Sequence, residues 1–382
     1  MNLRGIILLW VLCISANLFS QNSEDISLPI LNTNSNARIG SMADIGVVSS
    51  IFYKDVGLFQ NPSLISGNSE FSGTNLFLRN IKDNNLTNSY ISGWSGYHAI
   101  DTSHAFGFNF SYLNYEDSFL NSESVDSIKV FEPYELFFQL TYKYRFNKTI
   151  SGGLGLKYIQ SNYGFGLMEN FINTFSIDLG FNYSKMYLLS DYSNLHTSAG
   201  LAITNFGPRI SNADTLKSFI PTKLLLGLLI NPDIHLSELF RLNFELMYQA
   251  EKYLTPSQPV YNTEGILIDG MNPDISCFTA LYQSFYDSPD GFTGEIDEIR
   301  NKFGSELRLN YSNTAFLAFR HGRIFELESL GGGNYQAYGC GLGLFGFMVD
   351  YLYIKSDNKL LNKDWAIMIS ASHNLNGNFF RF

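Results

Sequence analysis

The most motif-like stretch of the sequence is "GLGLFG", in which Gly341, Gly343 and Gly346 satisfy the spacing G-x-G-x-x-G, with Asp364 about twenty residues further on. In dinucleotide-binding folds a helix follows these glycines and holds the pyrophosphate at its N-terminus. Here "FMVDYLYIK" follows, and its alternating Phe, Val and Tyr residues indicate a strand. We therefore predict no nucleotide site, because glycines within a strand more simply allow bending and close approach of neighbouring strands.

Residues that could bind a metal or act in catalysis are scattered. None of the six histidines belongs to an HExxH motif or a short His/Cys pair of the kind that holds a metal ion. No G-x-S-x-G motif occurs, so a nucleophile would have to be a serine that only the fold brings beside a histidine, and this alternative stays open. Glu295, Asp297 and Glu298 are more typical of a solvated surface than of an acid/base pair. The sequence thus predicts no metal, no cofactor and no enzymatic activity.

The composition points to a different kind of molecule. The 382 residues include 33 Phe and 23 Tyr, and only 16% of them are charged. This is more aromatic and less charged than an ordinary soluble protein, and it excludes a disordered chain. The formal net charge is -10. Because nucleic-acid binding depends on Lys and Arg contacts with phosphates, we predict no nucleic-acid partner.

The N-terminal stretch "MNLRGIILLWVLCISANLFS" has the features of a secretory signal peptide. Arg4 supplies a positive charge, an apolar run follows from Gly5 to Leu12, and the small residue Ser20 precedes Gln21. We predict a signal peptide over residues 1–20. No later run of eighteen apolar residues predicts a spanning helix. The two cysteines that remain are too few for a disulfide framework, and the sequence leaves open whether they are bonded.

Alternation of side chains then dominates from about Ser72 onward. In the stretch 106–112, "FGFNFSY", the aromatic residues share one face of a strand and Gly, Asn and Ser share the other. The same pattern recurs in about fourteen segments, which begin near residues 72, 88, 103, 134, 149, 174, 195, 221, 238, 302, 314, 334, 346 and 364. Charged residues within these segments fall on the face opposite the aromatics, which predicts ion pairs across a lumen.

The connections between these segments fall into two classes. Those after even-numbered segments are short, as at 100–102, 147–148 and 312–313, whereas 116–133, 207–220 and 251–301 are long. An even strand number, short turns at one end and long loops at the other predict an all-β fold, a transmembrane outer-membrane β-barrel of about 14 antiparallel strands. The chain ends "FFRF", and such a terminal phenylalanine is common in this class. A soluble all-β sandwich remains the alternative.

Between the predicted signal peptide and the first strand lies a segment without alternation. Residues 21–71 are rich in small residues but include apolar pieces such as Ile45 to Val48. Disordered segments are poorer in Ile, Val and Phe, so we predict an N-terminal plug or hatch segment inside the barrel rather than a disordered tail. The predicted domains are thus the signal peptide 1–20, the plug 21–71, and the barrel 72–382 with a long extracellular loop 251–301.

The loop after the ninth segment carries a specific resemblance. The stretch "GMNPDISCFTALYQSFYDSPDGFTGEIDEI" resembles the PorV family, in which a G-x-x-P segment precedes a phrase much like QSFYDAPGGF and an acidic helix. The residues that fit are Gln283, Ser284, Phe285, Tyr286, Asp287, Pro289, Gly291 and Phe292. The segments 200–211, 219–227 and 250–261 resemble other stretches of the family in the same order.

The N-terminal segment also resembles the family, with departures. Asn61 and Pro62 resemble part of the hatch that the family shares with FadL-like transporters, although Ser63 replaces the usual Ala. The stretch "RHGRIFELESLGGGNYQAYG" lacks the basic phrase of the family, which leaves open whether the chain is an orthologue or a divergent paralogue.

The resemblance implies a noncatalytic outer-membrane subunit of the type IX secretion system of Bacteroidetes. It implies binding to the giant translocon barrel and to cargo proteins with a C-terminal signal domain, which are passed to the cell-surface attachment machinery. The implied partner-binding residues are Gln283, Ser284, Phe285, Tyr286, Asp287, Gly291 and Phe292, and the implied plug residues are Asn61 and Pro62. The competing function is a FadL-like transporter of a hydrophobic small molecule, for which the lumen would need an apolar pocket. In either case the protein is surrounded by outer-membrane lipid.

Overall fold

The computed structural model describes most of the predicted barrel and part of the segment before it. The described residues are 28–33, 36–49, 58, 60–65, 72–83, 86–115, 118–120, 129–131, 133–162, 171–213, 216–264, 266–312, 314–326, 334–345, 347–356 and 365–374. The predicted signal peptide and the C-terminal "FFRF" lie outside them. None of the helices in these ranges is long and apolar enough to cross a membrane.

Strands dominate the described chain. In order they are β1 Ser72–Asp83, β2 Leu86–Ala99, β3 His104–Asn114, β4 Ser118–Leu120, β5 Lys129–Phe131, β6 Tyr134–Arg145, β7 Ile150–Asn162, β8 Phe171–Ser190, β9 Ser193–Phe206, β10 Ile210–Ala213, β11 Leu216–Ser218, β12 Lys223–His235, β13 Phe240–Tyr253, β14 Val260–Tyr261, β15 Leu267–Asp269, β16 Arg300–Tyr311, β17 Ala315–Phe325, β18 Tyr335–Leu344, β19 Phe347–Ser356 and β20 Trp365–Asn374. The α-helices are α1 Ala37–Ser41, α2 Cys277–Gln283 and α3 Gly291–Asp297, and short 3-10 helices span Pro29–Leu31 and Pro62–Leu64.

Fourteen of these strands form one closed antiparallel barrel. Their order is β1, β2, β3, β6, β7, β8, β9, β12, β13, β16, β17, β18, β19 and β20. The barrel closes where β1 pairs with β20, from Gly73 opposite Asn374 to Ile81 opposite Ala366. Closure confirms the predicted barrel and excludes the open sandwich. The remaining six strands form three two-stranded sheets, β4 with β5, β10 with β11 and β14 with β15.

The barrel wall has the predicted apolar outside and polar inside. On β8, Phe175, Leu179 and Phe181 are exposed on the outer face, whereas Ser176 and Asp178 are buried on the inner face. The same alternation holds on β3. An apolar band facing lipid and a polar lumen are typical of outer-membrane barrels, so this pattern confirms the prediction made from the aromatic rows.

The two ends of the barrel differ. The connections 100–103, 146–149, 191–192, 236–239, 312–314 and 345–346 lie at one end, which we call the short-turn rim. The connections 115–133, 207–222 and 254–299 lie at the other, which we call the long-loop rim. The two classes of connection predicted from the sequence are therefore present in the structure, on opposite rims.

The described residues between 28 and 65, which we call the inner segment, pack against the inner face of the wall. Glycines make room for it: a Cβ atom on Gly180 would lie 2.0 Å from Asn61 Oδ1, and one on Gly153 would lie 2.3 Å from the Pro62 carbonyl carbon. The Asn61 amide donates hydrogen bonds to the carbonyl oxygens of Val47 (2.8 Å) and Phe181 (3.2 Å). Asn61 and Pro62 thus lie in close contact with the wall at β7 and β8.

Buried ion pairs join the inner segment to the wall. Arg38 of α1 lies 2.8 Å from Glu245 and 3.5 Å from Glu306, and Arg320 pairs with Glu306 (2.5 Å) and with Asp350 (2.6 Å). Charges taken out of water are tolerated when they are paired and hydrogen-bonded. The described lumen therefore contains ion pairs, but they do not span it as predicted. Arg38 joins α1 to β13 and β16, and Arg320 of β17 pairs with β16 and β19, which lie close by in the sheet.

Enlarging Gly180 tests how closely the inner segment depends on the wall. We expect Gly180→Val to displace Asn61 at a cost of about 1–3 kcal/mol, as for overpacked cores. The barrel should still assemble, while residues 36–49 become accessible to protease in the purified protein. Thr174→Val is the matched control, because Thr174 lies on the same face of β8 and changes little in volume. Unchanged protease resistance in Gly180→Val would contradict the expected displacement.

Candidate functional site

The motif "GLGLFG" forms a hairpin in the barrel wall. Gly341 and Gly343 lie in β18, Phe345 makes the turn with a positive φ of 47°, and β19 follows. With a strand in place of the helix that a dinucleotide site requires, this stretch has no phosphate-binding geometry.

The structure offers no metal centre within the described residues. There, no three His, Cys, Asp or Glu side chains are arranged to hold a metal ion. Cys277 and Cys340 are both free thiols. What remains as a candidate site is the long loop between β13 and β16.

Of the three acidic residues that the sequence predicted as a solvated surface, Glu295 and Glu298 are buried and Asp297 is partly exposed. Glu295 and Glu298 are buried, because Lys252 at the end of β13 reaches them: its Nζ lies 2.9 Å from Glu295 and also donates to Glu298. The Ser257 hydroxyl donates to Glu298 (2.6 Å) or to Asp287 (2.9 Å). These side chains fasten the loop to the end of the wall.

The predicted partner-binding residues divide into two groups. Gln283, Ser284 and Asp287 are buried, and the Gln283 amide donates to the carbonyl oxygen of Asn272 (3.2 Å). These polar residues hold the shape of the loop rather than offer contact surface. Gly291 starts α3 with a φ of 61°, the left-handed region that favours glycine. Phe285, Tyr286 and Phe292, by contrast, are exposed, and Phe292 is 80% exposed.

Two exposed aromatics of α2 are absent from the predicted set. Phe278, which is 67% exposed, and Tyr282 lie on α2. Their spacing of four residues places them on one helical face, and this spacing in "CFTALYQSFY" was the signal that could have identified them. Together with Phe285, Tyr286 and Phe292 they form what we call the aromatic surface.

A neighbouring connection braces the aromatic surface from the side. The Arg209 guanidinium lies 2.5 Å from the Asp274 carboxylate and also donates to the Ile275 carbonyl oxygen (3.1 Å). The Phe206 and Phe278 rings meet edge to face with their centroids 5.1 Å apart. Because Ser276 also caps α2 by accepting a hydrogen bond from the Thr279 backbone, the helix that carries Phe278 and Tyr282 is fixed at its start.

Below the long loop the lumen contains a cavity of about 300 Å³. Charged side chains line it: Glu251 lies 2.6 Å from Lys302, 3.0 Å from Lys223 and 3.6 Å from Arg300. Asn109, Thr204 and Asn205 add polar groups. Sites for hydrophobic molecules are mostly apolar with a few polar groups, whereas this cavity combines its cluster of charges with apolar side chains such as Phe137 and Leu225.

Burial makes the loop's carboxyl groups sensitive to pH. Burial raises the pKa of Asp287 above its ordinary value, although hydrogen bonds from Ser257 partly offset the effect. Burial also raises the pKa of Glu298, against the attraction of Lys252. Glu295 stands close to both carboxyl groups, and Lys252 pairs with Glu295 and Glu298.

The chain is similar to one known protein family and to several solved β-barrel structures. The family model "Type IX secretion system protein PorV" matches residues 19–259, more than half of the chain. Among solved structures, the CymD monoaromatic hydrocarbon channel is 12% identical with a TM-score of 0.44, covering 91% of this chain and 98% of its own. The Pseudomonas putida toluene transporter TodX is 9% identical with a TM-score of 0.43, covering 94% and 100%. Among curated protein sequences no significant match was found.

The buried carboxyl groups predict that the loop opens more easily as the pH rises. Because the folded pKa values of Asp287 and Glu298 lie above the ordinary value near 4, their stabilising contribution is complete below about pH 4. It is lost as the pH rises through the raised values. Hydrogen exchange of the amides in α2 and α3, corrected for intrinsic rates, measures this opening.

Removal of Lys252, which pairs with Glu295 and Glu298, should make the loop open more easily at neutral pH. We expect Lys252→Met to lower the free energy of loop opening by about 2 kcal/mol at neutral pH, the usual contribution of hydrogen bonds to a charged group. The loss should be smaller at acidic pH, where protonated carboxyls no longer repel one another. Lys217→Met, at an exposed lysine of the same rim, is the control. Equal opening in both variants would contradict the role given to Lys252.

Proposed function

Since the chain belongs to the PorV family, as an outer-membrane component of type IX secretion, we propose that its long loop is where it meets the rest of the machinery. The loop, residues 251–301, binds the giant translocon barrel and the cargo proteins that carry a C-terminal signal domain. Those cargo proteins then pass to the attachment machinery at the cell surface. The protein's contribution is binding and transfer, not chemistry.

The observation that carries this proposal is the aromatic surface. Large aromatic side chains dominate the binding energy of protein interfaces, and they do so best when they need no reordering on binding. Phe285, Tyr286 and Phe292 are exposed on a loop that is fixed from beneath by Lys252 and Ser257. A rigid, aromatic and noncatalytic surface suits recognition of proteins better than it suits recognition of a small molecule.

The proposal fixes an orientation and a domain layout. The long-loop rim faces the outside of the cell, and the short-turn rim faces the periplasm, after export with cleavage of the signal peptide 1–20. Residues 21–71 act as the plug, with Asn61 and Pro62 among its close contacts with the wall. The alternative function, FadL-like transport of a hydrophobic molecule, has less support because charged groups line the cavity.

Changing the predicted aromatic residues tests the binding role. In Phe285→Ser/Tyr286→Ser/Phe292→Ser we expect secreted proteins to accumulate in the periplasm, because each anchor at an interface contributes about 2 kcal/mol or more. The barrel wall is untouched, so the amount of protein in the outer membrane should not change. Phe146→Ser/Phe345→Ser is the control, because both of these aromatics are exposed on the short-turn rim. Normal secretion by the triple variant at normal abundance would place the binding surface elsewhere.

Deleting most of the inner segment tests the plug. We expect a chain without residues 36–66 to assemble as a barrel that admits large hydrophilic antibiotics, because the polar inner wall would then enclose water. Antibiotic sensitivity of cells with equal amounts of the deletion variant and of wild type gives the comparison. Unchanged sensitivity would mean that the inner segment does not seal the lumen.

A further inference from the structure

The hairpin of β8 and β9 extends beyond its neighbour at the short-turn rim. β8 has 20 residues, whereas β7 has 13. The pairing of β7 with β8 ends where Ile150 lies opposite Tyr183, and the Ser184 N–H donates to the Thr149 carbonyl oxygen (2.8 Å) as the last bond. From Lys185 to Ser190, β8 is paired with β9 on one side, and no described residue pairs with it on the other. We call this unpaired position the slot.

The turn before β7 does not fill the slot. The Asn147 side chain accepts hydrogen bonds from the backbone N–H groups of Thr149 (2.8 Å) and Ile150 (2.9 Å). The Arg145 guanidinium donates to the carbonyl oxygens of Asn147 (3.1 Å) and Lys148 (2.9 Å). The turn is therefore closed on itself, and in the described part of the chain no strand continues the line of β7 beside β8.

The backbone of β8 presents hydrogen-bonding groups to the slot. In an antiparallel pair, alternate residues direct both N–H and C=O toward the same neighbour. Because the Ser184 N–H points to the β7 side, the N–H and C=O groups of Met186 and Leu188 point there too. Proteins usually protect such an edge with charges, prolines or bulges. Here Lys185 lies at the start of the edge and a register shift follows Leu188, but the positions between are apolar.

The side chains of β8 beside the slot, from Met186 to Leu189, are apolar on both faces of the strand. Leu188 is 75% and Leu189 is 60% exposed, and Met186 and Tyr187 are exposed as well. Lipid accounts for the outer face only. Met186 and Leu188 lie on the inner face of β8, the face that carries the polar residues Asp178 and Asn182 within the barrel. If this end of the inner face met only water, we would expect polar residues here too.

We propose that the slot binds an extended segment of another polypeptide, which adds as a strand antiparallel to β8 and in line with β7. An unpaired backbone edge is matched by another extended backbone, and alternate apolar side chains of that segment would cover the two exposed faces. The slot is continuous with the barrel sheet and about 20 Å long at the usual rise of a strand. It lies on the rim opposite the aromatic surface, so it does not depend on the function proposed for the long loop.

The test compares backbone protection with and without the cell's other proteins. In native outer membranes, the amides of Met186 and Leu188 should exchange hydrogen about tenfold or more slowly than in the purified barrel, because an added strand would bond to them. Exchange at equal rates in the two preparations would overturn the proposal. This comparison uses the wild-type protein and needs no variant to fold.

A second test combines crosslinking at the slot with a proline substitution in β8. A photo-reactive p-benzoyl-phenylalanine in place of Tyr187 should form an adduct with a polypeptide in intact cells. Leu188→Pro should abolish the adduct, because it removes an N–H that faces the slot, whereas proline is tolerated on an open edge. Leu188→Thr keeps the N–H and should retain most of the adduct. An adduct with lipid alone, an adduct with a second copy of this chain, or one that Leu188→Pro leaves unchanged would each overturn the proposal.

Discussion

The constraint on which the structure depends is that lipid offers no hydrogen-bonding partner to a strand edge. Every backbone N–H and C=O in the apolar band must find a partner within the sheet, so the sheet closes through the pairing of β1 with β20. Closure then creates an interior, and fourteen strands enclose one too wide for their own side chains to fill. The inner segment occupies that space, and the wall accommodates it with glycines such as Gly153 and Gly180 and with paired charges such as Glu245 and Glu306.

The fold was largely predictable because apolar and polar side chains alternate with a two-residue period along each strand of the barrel. Each strand needs apolar residues outward and small or polar residues inward, and a pattern this local can be read without knowing which strands pair. The predicted starts agree with the structure to within about three residues, the usual uncertainty of element boundaries. The largest difference is at β8, which begins at Phe171 rather than near 174. The far end of β8 was not predicted, because where a neighbouring strand stops is not visible in the strand itself.

The candidate site was predictable only in part, because its burial depends on contacts between distant residues. The sequence predicts a solvated surface for Glu295 and Glu298, yet Lys252, 43 and 46 residues away in sequence, pairs with both. The burial of Asp287 similarly depends on Ser257, 30 residues away. The exposed aromatics were easier to recognise, since a long loop offers few buried positions for an aromatic side chain. Even so, Phe278 and Tyr282 required recognition of a helix of seven residues, which is too short to give a clear period.

A barrel filled in this way limits how the protein can take part in moving other proteins. In the described lumen, α1 packs against β17 to β20 and pairs with β13 and β16, and the cavity of about 300 Å³ has room for a small molecule but not for a folded domain. Protein partners must therefore be met at the rims or on the outer wall. The two rims offer different chemistry for this. The long-loop rim presents side chains on a braced surface, which favours shape-specific recognition, whereas the short-turn rim presents a backbone edge, which accepts many sequences that can extend. Under the two proposals made above, the closed wall between the rims keeps each surface in a fixed position.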